Sequence, residues 1–341
     1  MTRAELLKYF SRYSPILEQA IKKAVRASSL RVENLHNAVE YSLGLDEPDI
    51  NRRGKRFRPA LCLLACEKLG CDIRKALPFA VAIEVMHNYC LVHDDIEDGD
   101  TVRRGRPAVW LQYGLSHGIN IGDFMISRVY GYLIEQAGKT WSPELTFRIL
   151  NLMVETLDHT LTGQALDINA RASDTITIKD YLEIVTKKTG YYLAAPIIGG
   201  AMIAGAPPGV IKAIHKFGSC MGPLFQIMDD IIDLTAGKGR NEIGADIKEG
   251  KRSFMVAHVN EKCSRKESHE MFKILNKPRV KTTKKDIAEI LALFNKYEAI
   301  EAGREYCQVM SRKSGAAIQK IPLPLRDALS AFSNLLTDRT I

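Results

Sequence analysis

Residues 79–107 read FAVAIEVMHNYCLVHDDIEDGDTVRRGRP. Ala80, Ile83, Glu84 and His87 recur at the three- and four-residue steps of a helix. The helix runs into five acids, Asp94, Asp95, Glu97, Asp98 and Asp100, packed within seven residues. At roughly 100° per residue, Asp94 and Asp98 lie about 40° apart on the helical wheel, so their carboxylates point the same way.

Residues 225–251 read FQIMDDIIDLTAGKGRNEIGADIKEGK and repeat the device. Asp229 and Asp233 are again four apart, with Asp230 beside them. One acidic helix face is usually solvated surface, but isoleucine, leucine and methionine flank both clusters and place them near a core. Carboxylates there need a cation or hydrogen-bond donors. An all-oxygen donor set without His or Cys selects a hard ion such as Mg²⁺, which is commonly shared with substrate phosphates. Cations stand where a phosphate site needs them: Lys55, Arg56 and Arg58 in GKRFRP, Arg103 and Arg104 after the first cluster, Lys187 and Lys188, and Lys251. Arginine grips phosphate through two hydrogen bonds, and lysine supplies a compact charge. Carboxylates, implied metal and cations together describe a diphosphate site.

The rest of the chain reads as helix. Ile287, Ile290, Leu291 and Phe294 keep helical spacing, as do Leu325, Leu329, Phe332 and Leu336, and alternating strand-like runs are scarce. Ser142-Pro143-Glu144, Thr177 with Asp180, and Thr283 with Asp286 have the form of helix starts. The breaks, near 45–56, 99–107, 138–143, 171–176, 205–209, 236–250 and 276–283, are short. The expectation is an all-α fold in one continuous domain, 1–341.

The 341 residues are 46% apolar, 26% charged and 7% aromatic, which excludes disordered, collagenous and disulfide-scaffold classes. Forty-eight Lys and Arg against 40 Asp and Glu leave +8, a balance that suits an acidic partner without choosing it. The basic run KPRVKTTKK (277–285) lacks the interleaved aromatics of a nucleic-acid surface, so no nucleic-acid partner is expected. Seven cysteines without a CxxC pair read as reduced thiols, and the N-terminal stretch lacks the form of a secretory signal, so a cytoplasmic location is expected. Tyr191 to Ile211 carries no charge for 21 residues, long enough to span a membrane. Pro196, Gly199-Gly200 and Pro207-Pro208 are expected to break it into a buried, closely packed helix pair instead.

This ordered set resembles the trans-isoprenyl diphosphate synthases, the head-to-tail polyprenyl synthetase family, from about Gly54 to Lys251. The carriers are DDIED (94–98), DDIID (229–233), GKRFRP before the first, RRGRP after it, GQALD (163–167), the KTG of 188–190 and Phe225-Gln226. The resemblance implies an isoprenoid synthase fold, antiparallel helices around a deep central cavity, in a homodimer. It implies that Asp94, Asp98, Asp229 and Asp233 hold Mg²⁺, three ions per active site, on an allylic diphosphate that Arg103, Lys188, Thr189, Gln226 and Lys251 also contact. Asp95 and Asp230 complete the catalytic motifs. Lys55, Arg58, His87 and Arg104 would hold the diphosphate of isopentenyl diphosphate. Without the resemblance His87 reads as a core or capping histidine.

The implied reaction ionises the allylic C–O bond, and the isopentenyl double bond attacks the resulting cation. One departure is the family's Gly-Lys before Gly-x-Asp, absent from NEIGAD (241–246); Lys238 and Arg240 in the preceding loop stand as replacements with no role assigned. Product length depends in the family on bulky residues upstream of the first motif, here Met86, Tyr89 and Cys90. An aromatic five residues before DDIED and a small residue at four resemble geranylgeranyl synthases, with farnesyl the alternative. On the wheel Tyr89 falls about 140° from Asp94, Cys90 about 40° and Met86 about 80°, so Tyr89's role as a floor rests on resemblance. A terpene cyclase or squalene-type synthase would not need GKRFRP, and a silent partner subunit would have lost one aspartate motif.

Overall fold

A computed structural model describes residues 1–26, 32–49, 53–235 and 243–337. The loop lysine and arginine at 238 and 240 therefore lie outside the described residues. Helices follow one another almost without interruption: α1 (Arg3–Arg26), α2 (His36–Ser42), α3 (Phe57–Lys68), α4 (Ile73–Glu97), α5 (Val109–Tyr113), α6 (Leu115–Ile134), α7 (Pro143–Arg171), α8 (Ile178–Val185), α9 (Tyr191–Ile203) and α10 (Pro208–Thr235). They continue through α11 (Ala245–Lys248), α12 (Phe254–Lys262), α13 (Arg265–Leu275), α14 (Lys284–Lys296), α15 (Ala299–Ala317) and α16 (Leu323–Thr337). Among the described residues the sole strand pair is β1 (Val102–Arg103) with β2 (Arg106–Pro107). Arg104 and Gly105, at φ 54° and 75°, form the left-handed two-residue turn between them.

The helix starts read from sequence are present. Thr177 with Asp180 and Thr283 with Asp286 are reciprocal capping boxes, and the Ser142 hydroxyl accepts from the Leu145 N–H at 3.2 Å ahead of Pro143. A further box, Ser264 with Glu267, separates α12 from α13 in a stretch where no break is predicted.

The chain divides into two compact units, one of residues Thr2–Met153 with Pro196–Ile211, the other of Val154–Ala195 with Lys212–Ile341 and Met1. The first is organised around α4, which packs on α3 and α6 and is apolar on nearly every side. Its start is fixed by Asp72, whose side chain accepts from the Arg74 N–H at 2.9 Å. One set of polar groups in this unit meets at buried Arg56. Its guanidinium donates to Glu18 (2.7 Å), to Glu84 (2.6 Å) and to the Leu43 carbonyl (2.6 Å), while its backbone sits at φ 46° as the cap of α3. In the second unit α12 packs on α15 and on α8.

The uncharged stretch at 191–211 corrects one expectation. Neither Pro196 nor Gly199-Gly200 breaks it: α9 runs unbroken to Ile203, and the break falls just ahead of Pro208, the first residue of α10. Pro196 removes a single N–H near the start of a buried helix. The glycines serve close packing, as their composition suggested: a Cβ on Gly199 would stand 1.9 Å from the Phe79 ring, and one on Gly200 2.2 Å from the Cys62 carbonyl oxygen. Among the described residues no helix is long and apolar enough to cross a membrane.

Because the atom facing Gly200 is backbone, α3 and α9 would have to part to admit a methyl group. Gly200→Ala is expected to lower stability by about 1–3 kcal/mol, read as a lower urea midpoint at unchanged slope.

Candidate functional site

The first aspartate motif closes α4. Asp94 and Asp98 are half-buried, Asp98 caps the helix, and its N–H donates to the Asp94 carbonyl at 2.8 Å. Asp95, on another face, is buried and accepts from Nε of Arg103 at 2.9 Å and from a second guanidinium nitrogen. The same guanidinium lies 3.6 Å from the carboxylate of Asp100, also buried. Burial raises the Asp95 carboxyl above its ordinary range while Arg103 pulls against that rise. Arg103 thus neutralises the acids that face inward, and Asp94 and Asp98 present the outward pair.

A cavity of about 400 Å³ in the same unit is lined by Gly54, Lys55, Arg56, Phe57, Arg58, Glu84, His87 and Arg104. Lys55 is exposed. Arg56 is engaged with Glu18 and Glu84, and Lys55, Arg58 and Arg104 are the other cations that line the cavity. Arg104, turned by its left-handed backbone, donates to the Arg53 carbonyl (3.2 Å), the Ser42 carbonyl (3.4 Å) and Asn88 Oδ1 (3.3 Å). A nitrogen of Arg58 stands 3.2 Å from Nε2 of His87. Arginine can only donate, so Nε2 accepts and the imidazole proton sits on Nδ1. Burial first, then Arg58 and Arg104, hold His87 well below the usual histidine range. It is a neutral donor among cations, suited to a polyanion.

Along α4, Met86 is fully buried, Tyr89 nearly so, and Cys90 half-buried. The Tyr89 ring meets His93 edge-on at 4.9 Å, and His93 fits against α6 only because residue 122 is glycine: a Cβ there would lie 2.1 Å from its Nε2. Burial, with Asp94 nearby, pushes the Cys90 thiol up to about 12.

The second unit holds the second motif. Asp229 is half-buried on α10, while Asp230 and Asp233 are buried. Asp230 accepts from the Tyr181 hydroxyl (3.0 Å) and Gln226 Nε2 (3.0 Å), with Lys251 Nζ at 3.6 Å. Asp233 accepts the Asp246 N–H at 3.0 Å, and its carbonyl accepts the Gly244 N–H at 3.1 Å, so it anchors the segment that returns to Lys251. Lys251 Nζ also lies 3.4 Å from Asp246. Burial disfavours its charge, but Asp246, Asp230, Asp167 and Asp229 together raise it well above the usual lysine range. Lys251 stays protonated.

Lys188 and Thr189 ride on a π-helical turn, Thr186–Gly190, between α8 and α9. Wide turns of this kind recur at functional sites. Lys188 Nζ donates to Asp167 at 3.0 Å, and Arg171 reaches the same oxygen at 3.2 Å. Burial works against ionisation of Asp167, yet Lys188, Arg171 and Lys251 lower it below its ordinary value. Close backbone approach permits the turn: a Cβ on Gly163 would stand 2.3 Å from the Lys188 nitrogen, and one on Gly222 2.5 Å from Gly190 Cα. Asp167, Asp246 and Tyr181 carry no role in the sequence reading. The two aspartates end the GQALD and GAD runs and were visible there, whereas nothing near Tyr181 marks it.

Among the described residues no three His, Cys, Asp or Glu side chains already form a metal cage. The donor chemistry nonetheless fits Mg²⁺, which is held through one or two carboxylates plus phosphate oxygens and water. Asp94, Asp98 and Asp229 keep partly accessible carboxylates of that kind.

The polyprenyl synthetase family matches residues 46–294. Over 299 residues the chain is 32% identical to a short chain isoprenyl diphosphate synthase of Methanothermobacter thermautotrophicus, covering 87% of each. It is 36% identical to a geranylgeranyl diphosphate synthase of Methanosarcina mazei over 68% of this chain and 69% of that one. The solved geranylgeranyl pyrophosphate synthetase of Pyrococcus horikoshii superposes with a TM-score of 0.87 at 31% identity, covering 98% of this chain and 99% of that one.

A histidine held neutral in the fold binds fewer protons than the unfolded chain once pH falls below about 6.5, so stability is complete above that pH and declines beneath it. His87 is expected to contribute up to about 1.4 kcal/mol per pH unit to that decline, and its ring resonances in NMR should show the neutral Nδ1–H form at pH 6. An imidazolium signature at pH 6 would contradict the Arg58 contact.

Proposed function

The chain belongs to the polyprenyl synthetase family, and from that premise we propose that it condenses isopentenyl diphosphate head-to-tail with an allylic diphosphate, geranylgeranyl diphosphate being the main product and farnesyl diphosphate the alternative. It is a prenyltransferase. The carrying observation is that each unit pairs an aspartate motif with its own half-buried cations, Arg103 in one and Lys188 and Lys251 in the other.

Asp94, Asp98 and Asp229, with Asp233, would hold Mg²⁺, taken as three ions per active site. When bound, the metal neutralises charge on the departing diphosphate. Arg103, Lys188, Thr189, Gln226 and Lys251 would bind that diphosphate, Lys251 remaining charged because carboxylates surround it. Binding draws Lys188 away from Asp167 and Lys251 away from Asp230 and Asp246, exchanging internal ion pairs for stronger contacts with a polyanion. Lys55, Arg58 and Arg104, with the Nδ1–H of His87, would orient isopentenyl diphosphate in the cationic cavity of the first unit. Its π bond attacks the allylic carbon as the C–O bond breaks, and a proton then leaves, giving an allylic product five carbons longer. No protein nucleophile is needed, and fixed positioning supplies much of the rate.

Product length is assigned to Tyr89, with Met86 and Cys90 on neighbouring faces of α4. Its ring is braced by His93, which gives a floor at that position little freedom to yield. We also infer a homodimer. Phe147, Val154, Leu161 and Ile168 stand exposed at seven-residue steps along α7, a single apolar stripe that drifts only about 20° per step. A second copy of this chain would cover it.

Incubation with isopentenyl diphosphate and dimethylallyl, geranyl or farnesyl diphosphate should give Mg²⁺-dependent elongation that stops at twenty carbons. Consumption of an allylic diphosphate without elongation would instead identify a cyclase, and inertness with every primer a partner subunit. Asp94→Ala and Asp229→Ala should each reduce turnover by at least about 10²-fold with the far-ultraviolet circular dichroism unchanged. Full activity in either would refute the metal assignment. Tyr89→Ala should lengthen the main product by at least one five-carbon unit; an unchanged distribution would transfer the floor to Met86 or to a neighbouring helix.

A further inference from the structure

Helix α3 ends in a Schellman turn. The Cys71 N–H donates to the Cys66 carbonyl at 3.1 Å, the Gly70 N–H donates to the Glu67 carbonyl at 2.9 Å, and Gly70 sits at φ 80°. In such a turn the side chains whose backbones make the outer bond come into contact, ordinarily as an apolar pair. Here both are cysteines. Cys66 is buried and Cys71 half-buried, and their sulfurs converge on one acceptor, the Asp72 carbonyl oxygen, at 3.6 Å and 3.9 Å. Cys62, one turn earlier, points instead toward the Ala76 carbonyl at 3.9 Å. Prenyl transfer uses none of these groups.

We propose that Cys66 and Cys71 are a modification site, an intramolecular dithiol that closes reversibly to a disulfide across the α3–α4 turn under a peroxide oxidant. The order of events follows exposure. Hydrogen peroxide oxidises the accessible Cys71 thiol to a sulfenic acid with release of one water. The Cys66 sulfur then attacks the Cys71 sulfur, forming the S–S bond and expelling the second water, so two thiols and one peroxide give one disulfide and two waters. Burial, with Cys71 beside it, raises the Cys66 thiol above its usual range, which suits it to the resolving step rather than to first attack on the oxidant. A thiol or dithiol reductant reverses the bond by exchange at the Cys71 sulfur, the one that solvent reaches. The outer hydrogen bond of the turn and the shared Asp72 acceptor bring the pair to one place before any oxidation.

The test treats the reduced full-length protein with one equivalent of hydrogen peroxide, blocks remaining thiols, digests with trypsin without reductant and sequences linked peptides by tandem mass spectrometry. The expected species joins the peptide ending at Lys68, through Cys66, to the peptide 69–74, through Cys71. It should vanish on dithiothreitol treatment and be absent from Cys71→Ser. A bond through Cys62 or between chains, or Cys71 found only as sulfinic or sulfonic acid, would overturn the proposal. Oxidation should also raise the thermal midpoint by roughly 3 °C in the wild-type chain and leave Cys71→Ser unmoved. A lower midpoint in the linked protein would show that the bond distorts the cap, which equally overturns it.

Discussion

Buried negative charge is the constraint that the rest of this structure answers. A carboxylate removed from water must meet a cation or donors, or it takes up a proton. Seven inward acids here have their cations supplied from fixed places in the chain: Glu18 and Glu84 from Arg56, Asp95 and Asp100 from Arg103, Asp167 from Lys188 and Arg171, Asp230 and Asp246 from Lys251. Those pairings set where the helices and their connecting loops can lie. They also keep Lys251 charged, because the carboxylates that hold it favour the ammonium form more than burial opposes it.

The two halves of each DDxxD motif therefore do different work. Asp95 and Asp230 face inward and are held by an arginine on one side and by tyrosine, glutamine and lysine on the other. Asp94, Asp98 and Asp229 keep partly accessible oxygens. Asp233 departs from the symmetry, since its carboxylate accepts the backbone N–H of Asp246 and fixes the loop leading to Lys251.

Much of this was legible in the sequence because the relevant signals are local. Four-residue spacing sets a helix face, and Thr177 with Asp180 or Thr283 with Asp286 caps a helix within one turn. What escaped depends on partners far along the chain. Arg56 and Arg58 look alike in GKRFRP, yet one is engaged by Glu18 and Glu84 and the other reaches His87. Asp167 gains its meaning from Lys188, and Tyr181 from Asp230. Pro196 and Gly199-Gly200 read as breakers because local propensity disfavours them in helices, whereas Phe79 and the Cys62 carbonyl pack where larger side chains would stand.

The π turn at Thr186–Gly190 makes the number of residues, and not only their identity, part of what is encoded. A turn closed over five residues carries one more residue than an α turn of the same reach. Deleting any one of 186–190 would let α8 and α9 join as an ordinary helix, with the side chains on either side of the join nearly in their present phase. Lys188 would lose the geometry that sets it on Asp167, while the apolar faces of α9 would keep their neighbours. The extra residue of the turn thus belongs to the placing of Lys188 and not to the packing of the helices on either side.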